Sequence, residues 1–194
     1  MKGFILRLWV PILLVIVFDN SSYAQSLPDS IQLRVVIIRH GEKPEKGLNL
    51  TCQGFNRSLE LPKVIVSQFG VPNFTYVPLI KNGKSANAIR MFQTIVPLAV
   101  KYDLVINSVF DENDSTDIAA DILKKKGTVL VVWNSHDIPS MVRSLGVKEK
   151  VLKWKEPDFD SIWIINYVKT AEGLKPVFST SKENINPSPV CKYP

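Results

Sequence analysis

Histidine is scarce in this chain: it occurs twice in 194 residues, at His40 and His136. Cysteine also occurs twice, at Cys52 and Cys191, and neither has a second thiol or a histidine at the spacing a zinc site needs. In an oxidising compartment the pair is compatible with one bridge tying the C-terminal tail to the domain; two free thiols fit the sequence equally well. There is no internal repeat, no domain linker and no long run of one charge. "LKKKG", with Lys124 to Lys126, is the densest basic cluster, and three lysines before a glycine fit a helix C-terminus better than a nucleic-acid surface.

The longest apolar run, Leu8 to Phe18, is too short to span about 30 Å of hydrocarbon. Lys2 and Arg7 precede or open it, and "SYA" closes it with small residues at Ser22 and Ala24. This pattern predicts a signal peptide over residues 1–24 and a secreted or periplasmic product with no membrane attachment after cleavage. Residues 25–194 then form one domain with an irregular C-terminal tail, enough chain to bury a sizeable core. Losing Lys2, Arg7 and Asp19 takes the net charge from +6 to +5, a mild excess that suits an anionic substrate.

"IQLRVVII" and "TVLVVW" read as strands buried on both faces, because apolar and β-branched residues run almost without interruption. "FTYVPLI", "LVINSVF", "SIWIINYV" and "LKPVFST" are shorter strand candidates. A helix is expected from the Thr51 cap to Gly70, kinked or split at Pro62. A second runs over residues 86–102, interrupted near Pro97. A third follows a Ser115 or Thr116 cap, and a fourth begins with Pro139 in its first turn and ends at Gly146. Strands alternating with helices indicate an α/β, three-layer sandwich with a mostly parallel central sheet flanked by helices. Ligands bind such sheets beyond the carboxyl ends of the strands, and both "RHG" (Arg39 to Gly41) and "SHD" (Ser135 to Asp137) fall there.

A neutral imidazole at a strand end can attack phosphorus and become phosphohistidine. The equatorial oxygens then need positive charge, which a guanidinium supplies with matching geometry. Arg39 adjoins His40, and Arg90 opens a predicted helix in "RMFQT". Arg57, one turn past Gly54, faces either this pocket or solvent.

"RHGEK" after a strand, "LT" and Gly54 in "LTCQG", "RMFQT", and a late strand ending in histidine together resemble the histidine phosphatase superfamily, with its phosphoglycerate-mutase-like fold. The resemblance runs from about Ile31 to Gly146. It implies His40 as nucleophile, with Arg39, Arg90 and His136 on the phosphoryl oxygens, and an acid that protonates the leaving oxygen and then activates water. No metal or other cofactor is implied, and the partner is a small phosphorylated substrate or a phosphoprotein, not nucleic acid.

Two positions depart from the family pattern. Small exported relatives often carry the histidine two residues after the tryptophan, before "IP"; in that register Ser135 takes the family position and His136 stands one residue late. As the remaining histidine, His136 is nevertheless the candidate. The acid is Asp137 if the acid-phosphatase pattern applies, and Asp111, Glu112 or Asp114 in "FDEND" if the mutase-like pattern applies; Asp137 also suits a helix N-cap. The rival expectation is a non-catalytic phosphate- or anion-binding module on the same fold.

Overall fold

The computed structural model describes residues 28, 30–81, 88–149 and 153–191. The expected signal peptide lies outside them, as does the predicted start of the second helix. Among the described residues no helix is long and apolar enough to cross a membrane.

The chain order is β1 (Ile31–Arg39), α1 (Cys52–Phe69), β2 (Phe74–Tyr76), α2 (Ile89–Tyr102), β3 (Ile106–Asn107), α3 (Ser115–Ile122), β4 (Gly127–Trp133), α4 (Ile138–Ser144), β5 (Ser161–Thr170) and β6 (Gly173–Lys182). The sheet order is β3-β2-β4-β1-β5-β6. The first four strands in that order are parallel, whereas β5 and β6 run antiparallel at the other side.

Side-chain alternation sorts the central strands into two cores. Val35, Ile37, Val129, Val131 and Trp133 pack with Ile118, Ile122, Met141 and Val142 of α3 and α4. Val36, Ile38, Leu130 and Val132 face the other way, against Leu61, Ile65, Ile95 and Leu98 of α1 and α2. Hence the near-continuous apolar runs: every residue of Val35–Ile38 and Val129–Val132 has a core to enter, and the three layers follow.

Neither internal proline breaks its helix: α1 runs unbroken through Pro62 and α2 through Pro97. A proline in a helix interior costs about 3 kcal/mol. Leu61, Ile65, Ile95 and Leu98 are fully buried around the two prolines, and each such side chain contributes roughly 1.5–3 kcal/mol. Packing therefore outweighs the local penalty. The third helix starts one residue earlier than its expected cap: Asp114 holds the N-cap position, and its carboxylate accepts from the Asp111 amide.

Parallel pairing aligns Arg39 with Trp133, so β1 and β4 end side by side, and the His40 amide continues the ladder to the Trp133 carbonyl at 3.1 Å. Antiparallel pairing brings Ile162 opposite Ile38 and Lys182 opposite Ser161. Residues preceding β5 and following β6 therefore share this edge with the carboxyl ends of β1 and β4.

Candidate active site

At this edge the chain leaves β1 through His40 and Gly41 and packs directly against the start of α1. A Cβ on Gly41 would stand 2.8 Å from the Gly54 carbonyl oxygen, and one on Gly54 would stand 2.3 Å from that of Glu42. Only glycine permits so close a backbone approach at both positions. Thr51 caps α1 through the Gly54 amide at 3.2 Å, and its own amide donates to the Glu42 carbonyl at 2.9 Å. From the other side, the Thr94 hydroxyl of α2 accepts from the Gly41 amide at 3.0 Å.

His40 is 3% exposed. Its Nδ1 lies 2.6 Å from the Gly41 carbonyl oxygen. A carbonyl only accepts, so Nδ1 carries the proton and Nε2 keeps its lone pair. Burial, reinforced by the charges of Arg39, Arg90 and Lys43, lowers the imidazole pKa to about 4 against the opposing pull of the Gly41 hydrogen bond. The ring is a neutral base, ready to act as a nucleophile.

Arg39 is equally buried, and its guanidinium lies 4.1 Å from the centre of the Phe159 ring. One Nη donates to the Glu156 carboxylate at 2.7 Å, and Nε has no partner. Arg90, in the first turn of α2, donates to the Gly47 carbonyl, and its Nε is likewise buried and unpartnered. Two guanidinium groups that act on the charge of His40 thus keep hydrogen-bonding capacity unused.

The turn after β4 sorts the remaining candidates. Asn134 accepts from the Asp137 amide at 2.9 Å and donates to the Asp137 carboxylate at 2.7 Å, closing a tight loop into α4. Inside that loop the Ser135 hydroxyl donates to Glu156 at 2.5 Å, joining the Arg39 cluster. His136 is exposed and makes no hydrogen bond among the described residues. The member of the turn that contacts the Arg39–Glu156 pair is thus Ser135, and His136 makes no hydrogen bond to that pair or to Arg90 among the described residues. Asp137 holds the N-cap position of α4 without a side-chain cap bond, its carboxylate being committed to Asn134.

Of the acids in "FDEND", Asp111 pairs with Lys81, which holds its carboxyl below the usual range. Glu112 behaves in the opposite way. Burial, with the charges of Asp137 and Asp111, pushes its carboxyl above the usual carboxylate range, against Lys81 and Arg90. The Trp133 indole fixes its backbone by donating to the Glu112 carbonyl at 3.1 Å. A half-buried carboxyl of raised pKa beside Arg90 suits proton transfer.

Arg57 is a correction. It neither meets the cluster nor faces solvent: Nε and one Nη grip Glu42 at 2.7 to 3.1 Å, and the other Nη meets Glu183 at 2.7 Å. All three of its nitrogens donate to carboxylates, two of them to Glu42 and one to Glu183.

Glu156 carries no sequence signal, because it lies before β5, far from every motif. Burial works to raise its carboxyl, but the Ser135 and Arg39 hydrogen bonds outweigh that and hold it low. Its side chain is 61% exposed, so this charged group sits on Arg39 with room to leave. An incoming anion must displace it. Glu156→Gln should accordingly tighten inorganic phosphate binding about tenfold, as expected when a charge-assisted competitor is removed; calorimetric titration of both proteins with phosphate measures this. Equal affinities would mean that the anion binds without touching Arg39.

Among the described residues no group of three or more His, Cys, Asp or Glu side chains is placed to hold a metal ion. No protein-family model matches the chain, and no curated protein matches it in sequence. Solved structures do. The chain is similar to the protein histidine phosphatase SixA complexed with tungstate, at a TM-score of 0.54 and 14% identity over 77% of this chain and 97% of that one. It is also similar to a mycobacterial glucosyl-3-phosphoglycerate phosphatase with inorganic phosphate, at a TM-score of 0.52 and 13% identity over 75% of this chain and 95% of that one. The chain has the fold of these phosphatases.

Proposed function

We propose that the chain is an exported histidine-type phosphatase that hydrolyses a phosphomonoester or a phosphohistidine through a covalent phosphohistidine on His40. The observation that carries this reading is the state of His40: buried, neutral, with Nδ1 committed to Gly41 and within the electrostatic reach of Arg39 and Arg90, at the carboxyl edge of the sheet. The names of the two solved relatives, one a protein histidine phosphatase and one a sugar-phosphate phosphatase, support the reaction class. The Cys52–Cys191 disulfide supports export, since such bonds persist in oxidising compartments.

In the first step His40 Nε2 donates its lone pair to phosphorus while the bond from phosphorus to the leaving oxygen breaks. Glu112 delivers its proton to that oxygen. Arg39, once Glu156 has moved aside, and Arg90 neutralise the charge on the equatorial oxygens. Water then attacks the phosphohistidine, Glu112 takes the proton, the nitrogen–phosphorus bond breaks, and His40 returns with inorganic phosphate free to leave.

The rate should follow a bell in pH. Its lower limb lies near 4, where His40 takes up a proton, and its upper limb follows ionisation of Glu112 above the usual carboxylate range. The optimum is therefore acidic. Glu112→Gln should remove the upper limb and lower kcat by about 10²- to 10⁴-fold. Profiles of kcat/KM and kcat against pH with p-nitrophenyl phosphate check both, the limbs being read from kcat/KM, which reports the free enzyme; an unchanged upper limb in the variant moves the acid role to Asp137.

A second reading, a non-catalytic phosphate-binding module, is favoured by one feature: beside Arg39 the turn after β4 contributes Ser135, bonded to Glu156, and no hydrogen bond from His136 among the described residues. It predicts wild-type protein that binds phosphate yet is inert toward a broad panel of phosphoesters from acid to neutral pH, and forms no acid-labile phosphoenzyme. Turnover together with a trapped phosphohistidine removes that reading.

A further inference from the structure

The ion cluster of Glu42, Arg57 and Glu183 takes no part in the steps above, yet Glu42 directly follows Gly41, whose carbonyl holds the nucleophile. We propose that Arg57, anchored by Glu183, is a positioning residue that holds His40 in the Nδ1–H tautomer by fixing the Gly41–Glu42 peptide. The inference rests on His40 as the nucleophile only for its catalytic consequence; the structural link stands apart from any reaction.

The acceptor of the His40 Nδ1 proton is the carbonyl of that peptide, at 2.6 Å. Rotating the peptide would remove the acceptor and free the ring to take the other tautomer, in which Nε2 carries the proton and cannot attack. Three local contacts restrain the peptide: Thr94 on the Gly41 amide and Thr51 on the Glu42 carbonyl hold the peptides on either side of it, and the Gly54 backbone packs against the peptide itself. The fourth restraint is ionic and comes from a distance. Arg57 grips both oxygens of Glu42 through Nε at 3.1 and 3.0 Å, and one of them again through Nη at 2.7 Å. Its remaining Nη reaches Glu183, just past β6, at 2.7 Å.

Glu183 is itself pinned. Its amide donates to the Asp160 carbonyl at 2.8 Å, and the next amide, of Asn184, donates to the Asp160 carboxylate at 2.8 Å. Asp160 adjoins Phe159, the ring on which Arg39 stacks. Arg57 therefore connects the loop carrying His40 to the wall that carries Glu156 and Phe159. The Glu183 side chain is 1% exposed. Two carboxylates, one buried and one partly buried, share one cation here, and burial of Glu183, with Asp160 and Glu42 adding to it, raises its carboxyl to about 7 against the pull of Arg57. A cluster so costly to bury serves a unique geometry more readily than it serves stability.

The two histidines make the test clean, since His136→Gln leaves a single imidazole to observe. In that background, long-range proton–nitrogen spectra should show His40 at neutral pH as one tautomer with Nδ1 protonated. Arg57→Lys keeps the charge but loses the fork. It should give a mixture of the two tautomers and, in the otherwise wild-type chain, a kcat lower by about 10- to 100-fold with the dissociation constant for inorganic phosphate within about twofold. Glu183→Gln keeps an acceptor for Arg57 without its charge, and serves if the lysine variant does not fold; it should shift the tautomer ratio in the same direction by less. A single unshifted tautomer in a folded variant overturns the inference. So does a loss of phosphate affinity that matches the loss of kcat, because Arg57 would then be a ligand. Wild-type protein without phosphatase activity would count against His40 as a catalyst, while the tautomer measurement would still decide the role of Arg57.

Discussion

His40→Ala should reduce hydrolysis of p-nitrophenyl phosphate by about 10⁴-fold or more and, in the same molecule, weaken the dependence of stability on acid. The first effect follows from removing the atom that attacks phosphorus; Arg39 and Arg90 would still bind the anion, so the loss falls on kcat rather than on phosphate affinity. The second follows from linkage. The folded protein holds His40 near a pKa of 4 against an ordinary 6.5. Between those values the unfolded chain binds the extra proton and the folded chain does not. The neutral ring's contribution is thus fully present above about pH 6.5 and is lost as pH falls through 4, a swing on the order of 3 kcal/mol. Alanine has no proton to take up. Urea unfolding at pH 7 and at pH 4 should therefore show a smaller acid penalty for the variant than for wild type, whatever the neutral-pH cost of the cavity. Retained turnover in the variant would place the nucleophile elsewhere.

How much of this was legible beforehand varies with the distance over which each feature is determined. The central strands announce themselves locally: Val35 to Ile38 and Val129 to Val132 are apolar at every position because each faces one of two cores. Their parallel pairing, and with it the edge at which His40 emerges, follows from alternation with helices. Arg90 is also local, since it lies in the first turn of a readable helix. Ser135 and His136 differ by one position in a turn, and the outcome depends on Asn134 closing onto Asp137, a side-chain preference that no strand pattern encodes. Glu112 could be named as an alternative, but the choice between it and Asp137 turns on burial and neighbouring charge, which exist only after folding. Arg57 shows the limit most clearly. Its helical spacing from Gly54 leaves pocket and solvent both open, and the third outcome, burial against carboxylates, depends on Glu183 from 126 residues away.

Cys52 and Cys191 belong to the same class of feature, and the outcome carries the second large prediction. The two are bonded across a sequence separation of 139, which the spacing alone left open. In the chain-entropy description a loop of that size restricts the unfolded state by about 5 kcal/mol, a large share of the 5–15 kcal/mol typical of a domain. The native contacts agree with a tail that is folded in place. Buried Asn56 donates to the carbonyls of Ser188 and Val190, each at 2.8 Å, and Ile185 enters the core beneath α1 and α2. Reduction, or Cys191→Ser, should therefore lower the unfolding free energy by several kcal/mol, seen as a fall in the urea midpoint that reductant produces in wild type and not in the variant. Because Cys52 is the first residue of α1, the effect should reach the site. Loosening that turn relaxes the contact of Gly54 with Gly41 and Glu42, and so the peptide that holds the His40 proton. Reduced protein that remains folded should thus lose kcat as well as stability. If the midpoint falls while kcat stays constant, the bridge fastens only the tail, and the register of the nucleophile loop depends on Arg57, Thr51 and Thr94 alone.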